Sequence, residues 1–455
     1  MNPTQFTVIP QDDLDLEVAI AEVREELGVV EPWKKFYYGG FGYAMEVGGG
    51  RYIPLPFESQ VCAHLEQMGI TDSAERRACL CQIREHNYVL WIGPVAGYKS
   101  GLHISPDAQG KILVTQSPVI IQAAEGQCKL ISRILKGLFV DPEHPLQFGA
   151  VMGWLYQARK NVVEGRRRPL PALALVGPIE SGKSLFLEIV RLSLGGRSAP
   201  AFRALVNQNG FNSEILGAEL LTVDDEVASA DRRARVRFGQ AIKLSLFGPA
   251  LRIEGKGRDA FSARPVHALA IALNDDPQHV QVLPELDHTN VDKISLIRTG
   301  RANLIPGEAD NRDRFMERIR AEIPAFLYRL EQLTIPEELE NPRTGCAAWQ
   351  HPDILEMLTE IAPETRLWEL IQQCPLLRPT EEDGVWRLRA TAVEIEQKLK
   401  ECSATSSSAK TLLYWNGAMG AYLAKLADSG RYGVSRGGQR HGIQTWIIPL
   451  PNPDA

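Results

Sequence analysis

The sequence lacks a long apolar run: no stretch approaches the roughly 18 apolar residues of a membrane-spanning helix. It also lacks an excess of positive charge, since 56 acidic residues outnumber 50 Lys and Arg and leave a formal net charge of −6. The chain as a whole therefore does not attract nucleic acid, and any such contact has to come from local basic patches. The first residues are acidic without an apolar core, so we expect no signal peptide, no membrane partner and a cytoplasmic location.

Cysteine is scarce as well, with seven residues scattered along 455 positions. Their number is odd, and no pair has the spacing of a zinc site. Cys79 and Cys81 are separated by one leucine, which is too short for ordinary chelation of one ion. We therefore expect free thiols in a reducing compartment.

Apolar runs predict an α/β core in the middle of the chain. They cover residues 170–177, 218–223 and 266–274, and each ends in polar or glycine residues. Near-continuous apolar strands are typical of a parallel sheet that is covered by helices on both faces. The order of strand, loop, helix and further strands favours a nucleotide-binding core with a mostly parallel sheet.

The patterning on either side of this core predicts further units. Helices are expected over residues 11–28 and 57–86, and a strand pair over 110–121. The length of 455 residues suits two to four domains. The predicted units are an α+β N-terminal domain of unknown role (1–125), a helical bridge (126–168), the core (169–335) and a C-terminal helical and winged-helix domain (336–455).

The stretch GPIESGKS directly follows the first apolar run and precedes a helical pattern. Glycine, four residues, glycine, lysine and serine form the phosphate-binding loop of many nucleotide hydrolases, in which backbone N–H groups and the helix N-terminus hold the phosphates. Lys183 would reach the β- and γ-phosphates of ATP, and the Ser184 hydroxyl would bind Mg²⁺. The predicted nucleotide-binding residues are Gly177, Pro178, Ile179, Glu180, Ser181, Gly182, Lys183 and Ser184.

Polar residues also follow the other two apolar runs. The second run ends in Asp224, Asp225 and Glu226, and the third ends in Asn274. Asp224 is predicted to hold Mg²⁺ through water, and Asp225 or Glu226 to orient the attacking water. Asn274 would lie between that water and the γ-phosphate. We thus expect Lys183 and these four residues to form the catalytic set.

Lys183, Asp224 and Asn274 lie within 92 residues of one another. This compact order resembles the superfamily 3 helicases, a branch of the AAA+ ATPases that replicates phages, small viruses, plasmids and satellite elements. Residues 128–161 and 246–274 resemble the segments that precede the ATPase and join its last two motifs in the phage and viral primase–helicase group. The resemblance covers about residues 115–450, and it implies an AAA+-type core, a hexameric ring and DNA as the partner.

The resemblance also implies where DNA is held. In that family a β-hairpin between the acidic strand and the asparagine strand points into the pore of the ring, and its basic tip grips one DNA strand. Lys256 and Arg258 match this tip, with glycines on both sides of Lys256. A motor that moves along any sequence has to hold phosphates rather than bases. The alternative is an ordinary exposed hairpin whose charges are solvated.

The chain departs from the family at the arginine finger, the residue that reaches the nucleotide of a neighbouring subunit. No arginine lies between Asn274 and Lys293. The finger therefore remains unassigned among several basic residues. The candidates are Lys293, Arg298, Arg301, Arg312 and Arg314.

The C-terminal segment predicts a helix over 418–430 followed by a β-hairpin, as in a winged helix. No acidic residue lies between Ser429 and Pro453. Arg431, Arg436 and Arg440 in the hairpin are predicted to contact the DNA backbone. Winged helices also bind proteins, so both uses remain open.

These features favour an ATP-driven, hexameric replicative DNA helicase of a phage, plasmid or satellite element, with ATP and Mg²⁺ as cofactors. Other replication proteins are expected partners. Two alternatives remain: an origin-binding replication initiator, and an AAA+ remodelling ATPase that does not unwind DNA processively.

Overall fold

The structure is a computed structural model. It describes residues 31–106, 110–206, 211–224, 232–255, 260–284, 286, 289–360, 362–382 and 384–452, without the side chains of 232–234 and 277. The helix predicted over 11–28 lies outside these residues.

The described part of the chain contains α-helices throughout its length, and none of them is long and apolar enough to cross a membrane. They are α1 (Glu58–Gln67), α2 (Ser73–His86), α3 (Lys129–Phe139), α4 (Leu146–Glu164), α5 (Lys183–Ser193), α6 (Phe202–Leu205), α7 (Arg232–Ile242), α8 (Pro277–Val280), α9 (Arg312–Glu331), α10 (Pro352–Glu360), α11 (Pro363–Gln373), α12 (Ala392–Glu401), α13 (Ser406–Leu412) and α14 (Ala418–Ser429).

Within the described residues the strands form five separate sheets. They are β1 (Phe36–Tyr38), β2 (Tyr43–Gly48), β3 (Arg51–Leu55), β4 (Trp91–Gly93), β5 (Gly101–Ile104), β6 (Lys111–Val114), β7 (Ala172–Gly177), β8 (Ser198–Pro200), β9 (Leu220–Asp224), β10 (Leu251–Ile253), β11 (Phe261–Ala263), β12 (Ala268–Asn274), β13 (Ile294–Arg298), β14 (Thr380–Glu382), β15 (Val385–Thr391), β16 (Ser435–Arg440) and β17 (Ile443–Pro449).

The N-terminal region corrects one prediction. The helical residues expected over 57–86 form two helices, because Gly69 turns the chain with φ +96° and Asp72 caps α2. The strand pair predicted over 110–121 is wrong. Only β6 forms there, between β4 and β5, and Pro118 cannot donate to a ladder. The segment after β6 runs to the core instead, where the Val119 N–H donates to the Gly195 carbonyl at 3.2 Å.

A five-stranded parallel sheet in the order β13-β7-β12-β9-β8 forms the centre of the molecule. Leu173 and Leu175 of β7 pack with α3, α4, α5 and α9 in one apolar cluster. Ala174 and Val176 pack with α6, α7 and α10 in another cluster on the opposite face. Both faces are therefore covered, which explains the near-continuous apolar strands.

The order of the strands determines where a ligand can bind. From β7 the chain passes to the far edge at β8, returns through β9 and β12, and then crosses to β13 on the other side of β7. Where successive connections run to opposite sides of one strand, a crevice forms at the carboxyl end of that strand. In this sheet that crevice lies at the end of β7, where Gly177 is in register with Asn274 of β12.

The C-terminal region has its own apolar core. Strand β15, helices α12 to α14 and the hairpin β16–β17 follow one another, and β15 pairs with β17 in an antiparallel sheet. Helix α10 packs instead on the central sheet through Ile354 and Leu358. Helix α14 contributes Met419, Tyr422, Leu423 and Leu426 to this core, and all four are buried.

Candidate nucleotide-binding site

The loop between β7 and α5 depends on two glycines because another segment packs tightly against it. A Cβ atom at position 177 would lie 2.1 Å from the Thr299 hydroxyl oxygen. Gly182 has φ +106°, and a Cβ there would lie 2.8 Å from the side chain of Ala302. The Ala302 N–H donates to the Ser181 carbonyl at 2.7 Å. The segment after β13 therefore supports the loop in a shape that only glycine allows at both positions.

Lys183 is the first residue of α5, and only 7% of its surface is exposed. Its ammonium group donates to the carbonyls of Gly177 and Pro178 at 2.9 and 2.8 Å. It also lies 3.2 Å from Asn274 Oδ1. The Lys183 ammonium group thus lies inside the loop, where a phosphate-binding loop of this type holds a bound phosphate.

Ser184 and Asp224 form the second pair of the site. The Ser184 hydroxyl donates to Asp224 Oδ2 at 3.1 Å. Asp224 ends β9, and its neighbour in register on β12 is Ala272, two residues before Asn274. Two hard oxygen donors side by side are the ligands that Mg²⁺ prefers, so these residues fit a magnesium ion.

These side chains open into a cleft of about 780 Å³. Its floor is the loop with Asp224 and Asn274, and one wall is a face of α9. The structure thus brings Glu180, Ser181, Lys183, Ser184, Asp224 and Asn274 together, as the sequence predicts. The volume and the mixture of apolar and charged walls suit a nucleotide-sized ligand.

Sequence reasoning missed most of the α9 wall. Arg312, Met316 and Arg320 are four residues apart and point into the cleft of their own chain, together with Asp313 and Phe315. Residues that are four positions apart lie on the same face of a helix, and this spacing is the signal in the sequence that could have identified them. The sequence predicts Arg312 only as a contact to a neighbouring subunit.

The other candidates for the arginine finger lie at different places around the central sheet. Lys293 precedes β13 at the amino edge of the sheet, away from the cleft of its own chain, and it pairs with Asp292 at 2.6 Å. Arg298 ends β13 at the carboxyl edge and forms an ion pair with Asp353. Arg301 and Arg314 are exposed. The assignment of the finger stays a prediction.

Four predicted residues lie outside the described part of the chain: Asp225, Glu226, Lys256 and Arg258. The strands that flank the last two are described. β10 and β11 pair in antiparallel fashion, with Ile253 opposite Phe261.

The predicted DNA contacts at the C-terminus are exposed but partly neutralised. Arg436 pairs with Asp428 at 2.7 Å, and its guanidinium lies over the Trp446 ring. Arg440 lies 3.4 Å from Glu394 of α12. The Arg431 guanidinium lies over the Tyr432 ring, 5.5 Å from its centroid. A phosphate would compete with these acids for the arginines.

The chain has solved relatives in fold. The apo structure of the NrS-1 C-terminal region has a TM-score of 0.53 at 11% identity, over 91% of this chain and 95% of that one. An A-form apo structure of the same region gives 0.52 at 11% identity, over 91% and 96%. Cch of SCCmec type IV, an active helicase, covers 91% of this chain and 97% of its own at 10% identity, but its TM-score of 0.41 is too low to show a common fold.

The sequence comparisons are less informative. A family of unknown function (DUF5906) matches residues 175–290, which include Lys183, Asp224 and Asn274. No curated protein matches the chain. The similarity to the NrS-1 C-terminal region therefore shows the mixed α/β fold, and the activity has to be inferred from the site.

Proposed function

We propose that this chain is an ATP-dependent replicative DNA helicase of the superfamily 3 type, working as a hexameric ring for a phage, plasmid or satellite element. The observation that carries the proposal is the convergence of Lys183 with Asn274, and of Ser184 with Asp224, in one cleft at the carboxyl edge of the sheet. The compact order of these motifs along the chain supports the helicase type among nucleotide hydrolases.

Each residue of the cleft has a definite role in this proposal. The loop N–H groups and Lys183 bind the β- and γ-phosphates, while Ser184 and Asp224 hold Mg²⁺, which neutralises phosphate charge. Asn274 places its amide between the γ-phosphate and the attacking water, which Asp225 or Glu226 orients. Arg312 and Arg320 of α9 neutralise further phosphate charge from the same chain.

The ring and its DNA contacts form the second part of the proposal. Each nucleotide lies between neighbouring subunits, and one of Lys293, Arg298, Arg301 and Arg314 reaches it from the next subunit. Lys256 and Arg258 hold one strand in the pore. The order of strand, three helices and hairpin at the C-terminus supports a winged helix, whose Arg431, Arg436 and Arg440 contact duplex phosphates.

Electron microscopy of the full chain with a non-hydrolysable ATP analogue and single-stranded DNA tests the assembly. We expect six-fold rings around a strand, and an ATPase rate that rises with single-stranded DNA. Particles that bind the analogue and remain monomeric, with an ATPase rate indifferent to DNA, would favour a remodelling ATPase instead. Tight binding to one duplex sequence without strand separation would favour an initiator.

A further inference from the structure

A cluster of three polar side chains lies outside the nucleotide cleft, where the helical bridge meets the segment after the core. Asp141, His144 and His351 each offer one ligand atom, and these atoms lie within 4.8 Å of one another. Asp141 Oδ2 is 3.1 Å from His351 Nε2 and 3.7 Å from His144 Nδ1. The proposed helicase activity uses none of the three.

Local structure directs the first two side chains to the same point. They belong to the turn between α3 and α4, which is closed by a hydrogen bond from the His144 N–H to the Asp141 carbonyl at 3.2 Å. The Glu143 N–H donates to Asp141 Oδ1 at 2.9 Å. That bond occupies one carboxylate oxygen and leaves Oδ2 facing the two imidazoles.

The third side chain comes from a segment 210 residues away. His351 continues an extended segment alongside β13, and its N–H donates to the Leu296 carbonyl at 2.9 Å. Its side chain is fully buried, while those of Asp141 and His144 are 20% and 24% exposed. The cluster thus has one rigid, buried side and one side open to water.

The two separations measured from the Asp141 carboxylate are those of ligands around one small ion. Zinc binds imidazole nitrogen and carboxylate oxygen at about 2.0–2.2 Å, so tetrahedral ligands are about 3.3 Å apart. The observed 3.1 and 3.7 Å lie on either side of that value. Two imidazoles and one carboxylate, with a position left for water, are a common ligand set for zinc and for other divalent transition metals.

Hydrogen bonds within the cluster do not satisfy all of its polar atoms. His144 Nδ1 is buried and has no hydrogen-bond partner among the described residues. Its separation of 3.7 Å from Asp141 Oδ2 is too long for a hydrogen bond. A buried polar atom without a partner is costly, and it therefore needs an explanation.

We propose that Asp141, His144 and His351 bind one divalent transition-metal ion, best matched by zinc, which joins the helical bridge to the segment after β13. Water takes the fourth position on the open side. The site is separate from the Mg²⁺ of the nucleotide cleft, and it does not depend on the helicase proposal.

Asp353 supplies the supporting contact. Without metal, the His351 proton lies on Nε2 and is donated to Asp141, while Nδ1 accepts the Asp353 N–H at 3.2 Å. Binding of the ion at Nε2 requires the other tautomer of His351: the proton leaves Nε2 to water, and Nδ1 takes one up. The contact with the Asp353 N–H is then lost, and Asp353 Oδ1, 3.9 Å from Nδ1 in this structure, becomes the acceptor. A carboxylate behind a metal-bound histidine is the usual arrangement.

Zinc titration of the chelator-stripped full chain by calorimetry tests the site. We expect the wild type to bind one more zinc ion than His144→Ala or Asp141→Asn. Affinity should fall roughly 10- to 100-fold in Asp353→Asn. His86→Ala is the matched control, because it removes an exposed imidazole outside the cluster and should bind like the wild type.

Cobalt gives a second readout that does not depend on stability. Visible absorption of tetrahedral Co²⁺ should appear in the wild type and in His86→Ala, and be absent in His144→Ala. Equal zinc binding and equal cobalt spectra in the wild type and His144→Ala would overturn the proposal. The cluster would then be a hydrogen-bonded His–Asp pair only.

Discussion

Lys183 Nζ lies 3.2 Å from Asn274 Oδ1, although 91 positions separate the two residues along the chain. The contact arises because β7 and β12 are adjacent and parallel, so that the residues at their carboxyl ends meet. It joins Lys183, which we propose binds phosphate, to Asn274, which we propose lies between the γ-phosphate and the attacking water.

Asn274→Ala removes this polar group from the end of β12. We expect ATP binding to remain and kcat for ATP hydrolysis to fall by roughly 10²- to 10³-fold, as when one preorganised donor is lost. Steady-state ATPase kinetics and nucleotide titration measure the two quantities separately. An unchanged kcat would show that Asn274 only ends the strand.

Gly182→Ala tests the shape of the loop. The added methyl group would lie 2.8 Å from Ala302, at a residue with φ +106°, so we expect loss of ATP binding and a free energy of unfolding lower by roughly 1–3 kcal/mol. Gly420→Ala in α14 is the control, because a Cβ there meets nothing within 4 Å. It should raise stability by roughly 0.5–1 kcal/mol. Urea unfolding of both variants decides the point.

Arg320→Ala tests the wall that α9 contributes. An exposed guanidinium facing phosphates mainly strengthens binding, so we expect KM for ATP to rise roughly tenfold with little loss of kcat. Arg329→Ala, in the last turn of the same helix, is the matched control and should leave KM unchanged. Equal KM values in the two variants would show that Arg320 of α9 does not contribute to ATP binding.

His267 predicts a pH dependence of stability. Burial lowers the pKa of its imidazole to about 4, against a hydrogen bond to the Ala218 carbonyl that raises it. The unfolded chain takes up this proton near its ordinary pKa of about 6.5, so the contribution to stability is complete above that pH and is lost on acidification. By about pH 5 the loss is on the order of 2 kcal/mol.

Urea unfolding at about pH 7 and about pH 5 measures this loss. His267→Gln should be less stable than the wild type at the higher pH, and its stability should change less between the two. Identical changes in both proteins would assign the pH dependence to other groups.

The phosphate loop, its strand and Asp224 and Asn274 could be predicted because each depends on local sequence. The pattern of the loop identifies it as a phosphate-binding loop, and apolar runs identify buried parallel strands. The residues at the ends of those strands then meet through the topology of the sheet, and Ser184 and Asp224 do lie 3.1 Å apart.

Features that depend on tertiary contact could not be predicted. Nothing local connects Asp141 with His351, which meet only because the segment after the core pairs with β13. Residues 115–121, the second half of the predicted strand pair, run along the core as a single extended segment, because other strands already flank β6. Arg320 could not be assigned to the cleft from the sequence, because its place there depends on the angle at which α9 packs on the core.

The measurement that tests the central claim most directly is strand separation by the full chain. A forked DNA duplex is incubated with ATP and Mg²⁺, using the wild type, Lys183→Ala and Lys136→Ala, an exposed lysine on α3. We predict unwinding by the wild type and by Lys136→Ala, and none by Lys183→Ala or without ATP. An intact wild-type ATPase that separates no strands, or separation that Lys183→Ala retains, would contradict the account.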